Sequence, residues 1–217
     1  MKFKAILSVM FFVCFGFVCL GFIRSQPATQ DSITAKELEN YLKTAKIAPD
    51  KQEAGRRTES YVVSLNDGKT TRTGFIKLTN RPRPHHIPDS YKYEIAAYEV
   101  DKLLDLNLVP PTVEREIDRR KGALRIFLEN VLYESDRRRK NIEPPDQEDF
   151  NKTLDEIIVF ENLTYSPVLC GFRELQALDD ILIMYKEDWK VWRVDFSEAF
   201  GPSSELFPDC EISRCSR

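Results

Sequence analysis

Asp188-Trp-Lys-Val-Trp-Arg-Val-Asp195-Phe-Ser-Glu-Ala-Phe200 is the stretch around which the rest of this 217-residue chain is organised. Lys190, Trp192 and Val194 alternate with Trp189, Val191 and Arg193, the pattern of a strand with two unlike faces. The alternation stops at Asp195, which sets a carboxylate at a strand end among aromatic side chains, well placed to hold a cation in a cleft. Taken alone, the run reads as an ordinary strand-to-turn junction, with the tryptophans anchoring a core. The order of the elements upstream of it points further.

Upstream, Ser32 or Thr34 can cap a helix running to about Ile47, with Leu38, Tyr41, Leu42 and Ala45 on one face. Tyr61–Leu65, the turn signal Asn66-Asp-Gly68 and Thr70–Leu78 predict a hairpin that carries Lys77 near its end. A proline-rich loop follows. Asp89 or Ser90 then opens a helix to about Leu106, whose apolar face is Ile95, Tyr98, Val100, Leu103 and Leu104 and whose first turn holds Glu94. A second strand pair, Thr112–Ile117 and Ala123–Val131, is joined by a charged turn ending in Lys121-Gly122. Tyr133–Asp149 reads as a connector, and Asp149–Tyr165 as a helix with Phe150, Leu154, Ile157, Ile158 and Phe160 facing the core. An irregular segment leads to a closing hairpin, Ile181–Tyr185 with Lys190–Asp195.

Composition sets bounds. A hydrophobic fraction of 42% suits a folded α+β protein, and a net charge of −3 gives no basic surface for nucleic acid. Lys2 and Lys4 precede an uncharged stretch of 19 residues, Ala5–Ile23, which predicts a secretory signal or a signal anchor. The protein is therefore expected to be exported, periplasmic or held to the membrane through residues 5–23. Losing residues 1–25, with Lys2, Lys4 and Arg24, takes the formal charge from −3 to −6. Cys170, Cys210 and Cys215 then remain, an odd count that argues against a disulfide framework, although Cys210 and Cys215 could pair. His85-His86 reads as an exposed pair, Asp136–Lys140 as a solvated charge run, and the sequons at Asn151 and Asn162 as chance matches on a helix.

Strand, strand with Lys, helix with Glu, strand pair, connector, helix, loop and hairpin with Asp is the order of a kinase core. Tyr91-Lys-Tyr-Glu-Ile-Ala-Ala-Tyr-Glu-Val-Asp-Lys-Leu-Leu-Asp-Leu-Asn-Leu-Val-Pro-Pro-Thr112 resembles bacterial atypical kinase-like proteins of the phosphatidylinositol 3- and 4-kinase-like superfamily. Their later core has the form Phe-Asp-x-Leu, then Asn-x-Asp-Arg-x-x-x-Asn, then Trp-x-x-Asp-His/Phe-x-x-Ala-Phe. Phe160-Glu-Asn-Leu163 and Val191–Phe200 are similar to the first and last of these. The resemblance covers roughly residues 35–207 and is specific around 91–112 and 188–200.

The resemblance implies a protein-kinase-like two-lobed fold with a sheet-rich N-lobe (49–132) and a small or truncated helical C-lobe (149–217). It implies that Lys77 contacts the phosphates of ATP, that Glu94 pairs with Lys77, and that Asp195 and Asp180 ligate Mg²⁺. The backbone around Leu128-Glu129-Asn130 would meet the adenine as a hinge. The Asn-x-Asp-Arg loop is not recognisable: Ser166–Asp180 stands in its place, leaving Glu174 or Asp179 as the general base, while Arg173, a candidate phosphate or substrate contact, reads rather as a solvated loop residue. Only 22 residues follow Asp195, which implies a reduced C-lobe or a truncated chain. Two functions follow from the resemblance. One is Mg-ATP binding with phosphoryl transfer to an unidentified protein or small molecule; the other is a pseudokinase serving as an envelope binding or scaffolding module. A third reading, a ligand-free structural protein, predicts that Lys77 and Asp195 lie far apart.

Overall fold

The first helix, α1 (Ala35–Thr44), begins in a capping box: the Glu37 N–H donates to the Thr34 hydroxyl at 3.2 Å, and the Thr34 N–H donates to the Glu37 carboxylate at 2.8 Å. The computed structural model describes residues 33–54, 58–83, 87–166, 175–186 and 188–201. Helix α1 stops three residues short of Ile47, because the chain turns extended at Ala45 (ψ 141°) and continues as strand β1 (Lys46–Glu53). Pro49 falls within this strand. It lacks the N–H that a helix interior needs, but an edge strand tolerates it, and the register of β1 slips between Ile47 and Lys51. Arg115 donates to the carbonyls of Leu42 and Ala45, closing the C-terminal end of α1.

Strands β2 (Ser60–Asn66) and β3 (Thr71–Lys77) form the expected hairpin, with Gly68 at φ +91° in its turn. The proline loop is flanked by a two-residue ladder, β4 (Asn80–Arg81) with β5 (Asp89–Ser90). Ser90 caps helix α2 (Tyr91–Leu104). Its buried residues are Tyr91, Ala97, Tyr98 and Asp101, whereas Leu103 is 83% exposed, so the apolar face lies one turn nearer the N-terminus than the sequence pattern suggests. Asp101 turns inward because its carboxylate accepts the Leu108 N–H at 2.8 Å, tying down the chain that leaves the helix.

Strands β6 (Thr112–Ile117) and β7 (Arg120–Ile126) meet through Asp118-Arg119, at φ +51° and +63°, a two-residue turn of the twist that hairpins favour. The turn therefore lies before Lys121-Gly122, and Gly122 sits inside β7. The main sheet is antiparallel in the order β1-β2-β3-β7-β6. The connector is also more regular than its composition suggests. Strand β8 (Leu132–Tyr133) leads into helix α3 (Glu134–Arg139), laced by pairs from Glu134 to Arg137 and Arg138 and from Asp136 to Arg139 and Lys140. Helix α4 (Gln147–Thr164) follows, capped by Asp146 and carrying both sequons, and then a 3₁₀ turn over Leu175–Asp180. Strands β9 (Ile181–Met184) and β10 (Lys190–Arg193) complete a second sheet in the order β10-β9-β8.

Two hydrophobic cores result. Leu42, Val63, Leu65, Ile76, Val113 and Leu124 pack between α1 and the five-stranded sheet. Ala97, Tyr98, Ile157, Phe160, Ile183 and Phe196 join α2 and α4 to the second sheet. The fold is α+β, a sheet-rich lobe beside a more helical one, and the described residues, from Ile33 onward, belong to one compact unit.

A Cβ at Gly122 would stand 2.6 Å from the Lys77 carbonyl oxygen and 2.5 Å from Leu78 Cδ2, so β7 passes β3 too closely for any side chain. Gly122→Ala is expected to lower stability by about 1–3 kcal/mol, measured as a lower urea midpoint at constant slope. An unchanged midpoint would contradict that close approach.

Candidate functional site

Lys77 is the last residue of β3, 4% exposed, yet its ammonium is not in an apolar pocket. Nζ donates to Glu94 Oε1 at 2.6 Å and to Asp195 Oδ1 at 2.5 Å. Burial draws the amine's pKa down, and the two carboxylates more than reverse this, holding it above the usual lysine value. Glu94, in the first turn of α2, uses its second oxygen to accept the Phe196 N–H at 3.0 Å. One carboxylate thereby joins β3 to the backbone that follows β10.

The hairpin of β9 and β10 sets both remaining carboxylates at one end. Ile181 pairs with Arg193, and the Val194 N–H donates to the Asp180 carbonyl at 2.9 Å, so Asp180 and Asp195 leave the sheet side by side. Asp195 has a left-handed backbone, φ +66°, and its Oδ1 also accepts the Ser197 hydroxyl at 3.2 Å. Burial alone would raise its pKa; the charge and hydrogen bond of Lys77, with Arg193, bring it down to about 2. Asp180 behaves oppositely. Burial, with the charges of Asp195 and Glu94 adding to it and those of Arg193 and Lys77 opposing it, pushes its pKa up to about 7.

Arg193 is the functional residue that the strand pattern did not single out. It is fully buried, as is Glu161 of α4, and its Nε donates to Glu161 Oε1 at 2.8 Å. Its Nη2 donates to the Ser166 hydroxyl at 3.0 Å and its Nη1 to the Asp195 carbonyl at 3.4 Å. The pair locks β10 to α4 and fixes the chain where Asp195 begins. Its signal in the sequence was slight: Arg193 shares a strand face with Val191, and an arginine on a core-facing side requires an acceptor. The tryptophans divide between the two faces. Trp189 meets Phe150 edge-on at 6.0 Å, while Trp192, half-buried, donates to the Met184 sulfur.

These side chains line a cleft of about 260 Å³ between the main sheet and the closing hairpin. Phe75, Lys77, Glu94, Arg125, Asp180 and Asp195 are among its walls. Four of the five residues expected at the site are therefore together. Glu129 is not among the lining residues: β7 ends at Ile126, and Glu129 is exposed in the segment beyond it. Asp179 is also outside the cleft and accepts the Ser135 hydroxyl. Arg173, Glu174, His85, His86 and the three later cysteines lie outside the described residues, as does the whole N-terminal stretch. Among the described residues no helix is long and apolar enough to cross a membrane.

Among the described residues no group of three or more His, Cys, Asp or Glu could cage a metal. Two carboxylates facing one cleft suit Mg²⁺, which takes one or two protein carboxylates and fills its octahedron with water and phosphate oxygens. Asp195 fits this role: its side chain keeps 37% of its surface exposed, and Oδ2 has no bond among the described residues.

Two outcomes follow. Folded Asp180 holds its proton up to about pH 7, while the unfolded residue loses it near 3.8, so its contribution to stability declines as pH rises through that window. Asp195 acts in the other sense, its contribution being lost as pH falls from 3.8 toward about 2. Denaturation at a series of pH values is expected to show a downward slope between pH 4 and 7 that Asp180→Asn removes; an unaltered slope would refute the assignment. Arg193→Met, which removes the buried guanidinium opposite Glu161, is expected to cost about 3–5 kcal/mol in urea denaturation. No protein-family model matches this chain and no curated protein matches it, so the Lys77 cleft itself carries the functional reading.

Proposed function

We propose that this chain is a kinase-like protein that binds magnesium–nucleoside triphosphate, ATP foremost, in the Lys77 cleft. One observation carries the reading. Lys77, Glu94 and Asp195, separated by 17 and 118 residues in the chain, meet at a single ammonium group. A ligand-free structural role requires no such meeting, and it predicted Lys77 and Asp195 far apart rather than 2.5 Å from one another. Phosphoryl transfer depends on positioned charge far more than on covalent assistance, and a Lys–Glu pair beside metal-binding carboxylates is that kind of apparatus.

In this reading Mg²⁺ supplies the positive charge that neutralises the phosphate oxygens. Asp195 and Asp180 hold it, Glu94 keeps Lys77 directed into the cleft, and Arg193 holds the backbone of Asp195 in place. Asp180 would surrender its proton to bind metal, so affinity for magnesium should strengthen as pH approaches 7.

A pseudokinase, retaining nucleotide without transferring phosphate, is favoured by a specific feature. Once Glu94 serves Lys77 and the two aspartates serve the metal, no cleft-lining carboxylate among the described residues is left to act as general base. The expected location, exported and periplasmic or anchored through residues 5–23, accords with an envelope binding module.

The test is thermal unfolding of the full chain with and without Mg-ATP, beside Asp195→Asn, which preserves the backbone preference of that position. At 100 times its dissociation constant the nucleotide should add about 2.7 kcal/mol to the wild type and little to the variant. Absence of a shift in a cooperatively unfolding wild type would sink the proposal. Given a shift, assay of γ-phosphate release and transfer separates the active kinase from the pseudokinase.

A further inference from the structure

The cleft has two cationic side chains among its described lining residues, and they are not alike. Lys77 is committed, its ammonium held by two carboxylates at 2.6 and 2.5 Å. Arg125 has no carboxylate within ion-pair distance among the described residues. Its guanidinium lies over the Phe75 ring, 4.6 Å from the centroid, and Nη1 donates to the Ile126 carbonyl at 3.1 Å. Nε and Nη2 have no protein partner there, and they are not sealed from solvent as orphaned buried atoms would be.

Register fixes where this guanidinium stands. Phe75 pairs with Arg125 and Lys77 with Ala123 across β3 and β7. Because side chains alternate, Phe75 and Lys77 point to one face, and Arg125 to the same face one two-residue step away, about 7 Å along the sheet. The fields of Glu94 and Asp195 reach it, and burial depresses its pKa, so it belongs to the charged end of the cleft. A half-buried guanidinium stacked on a ring, with two donors free and no counter-charge in contact among the described residues, is suited to an anion with adjacent oxygens.

We propose that Arg125 is the second anion contact of this cleft, its free donors taking a phosphate group of the bound nucleotide. This rests on the nucleotide reading above and gives it a consequence: recognition of the polyphosphate chain falls to β7, since the charge of Lys77 is already shared between Glu94 and Asp195. Phe75 acts as a positioning residue, holding the guanidinium plane against the sheet.

Calorimetric titration of the full chain with Mg-ATP, Mg-GTP and Mg-tripolyphosphate, in the wild type, Arg125→Met and Arg125→Lys, tests the assignment. Arg125→Met should weaken all three by about ten- to a hundred-fold, the range for hydrogen bonds to charged groups. Arg125→Lys should fall between, since a point charge lacks the fork. Unfolding midpoints without ligand report whether each variant is folded; if Arg125→Met is not, a weakening by Arg125→Lys of about three-fold or more carries the test. Unaltered affinity in folded variants would overturn the proposal, as would a loss confined to Mg-GTP, which would signify contact with the base edge. If the wild type binds none of the three, both this inference and the nucleotide reading fall. Arg125-dependent binding of tripolyphosphate without either nucleotide would retain the anion contact and discard the nucleotide.

Discussion

A buried ammonium must be given negative charge or lose its proton, and much of this structure serves to give it. Lys77 is supplied from two directions, by Glu94 on α2 and by Asp195 beyond β10. Neither supplier could stand there without the rest of the fold: α2 must be capped at Ser90 for its first turn to face β3, and the closing hairpin must be pinned by Arg193. The two lobes are thus joined by an ionic contact whose dissolution would strand charge inside the protein. Removing one partner of such a contact is far costlier than never having built it.

The electrostatics of the group are deliberately unequal. Three carboxylates share the neighbourhood of one lysine and cannot all be ionised without penalty. The asymmetry is resolved by proximity: Asp195, in contact with Lys77, remains an anion, and Asp180, half-buried without such a contact, keeps its proton to about neutral pH. A divalent cation between the two aspartates would alter this balance at once, adding to the pull of Lys77 and Arg193, which already favours both as anions. The arrangement closes on itself through the two ion pairs of Lys77.

Much of this was legible in the sequence, and the exceptions have physical reasons. The hairpin with Lys77, the helix with Glu94 and the hairpin ending at Asp195 are local patterns, dictated by alternation, turn residues and caps. Their convergence came only through family resemblance, because distance in space across 118 residues has no periodicity. Helix α3 was hidden because its stabilisation comes from acid–base pairs rather than an apolar stripe. Strand β1 was hidden because it is an exposed edge strand that carries a proline. Arg193 and Arg125 were overlooked for a shared reason: charged residues in strands usually face water, and only tertiary structure shows these two facing a buried carboxylate and a cleft.

The left-handed backbone at Asp195 narrows the alphabet available to that position. A φ of +66° is accessible to glycine, asparagine and aspartate, and strained for β-branched or bulkier residues. The cation binding proposed for this cleft asks for a carboxylate, and the conformation asks for a short side chain that can bond to its own vicinity. Glutamate meets the first demand and asparagine the second; aspartate meets both. The proposed chemistry of the site and the shape of the chain therefore select the same residue independently: a change to asparagine would lose the charge and keep the backbone, and a change to glutamate would keep the charge and strain the backbone.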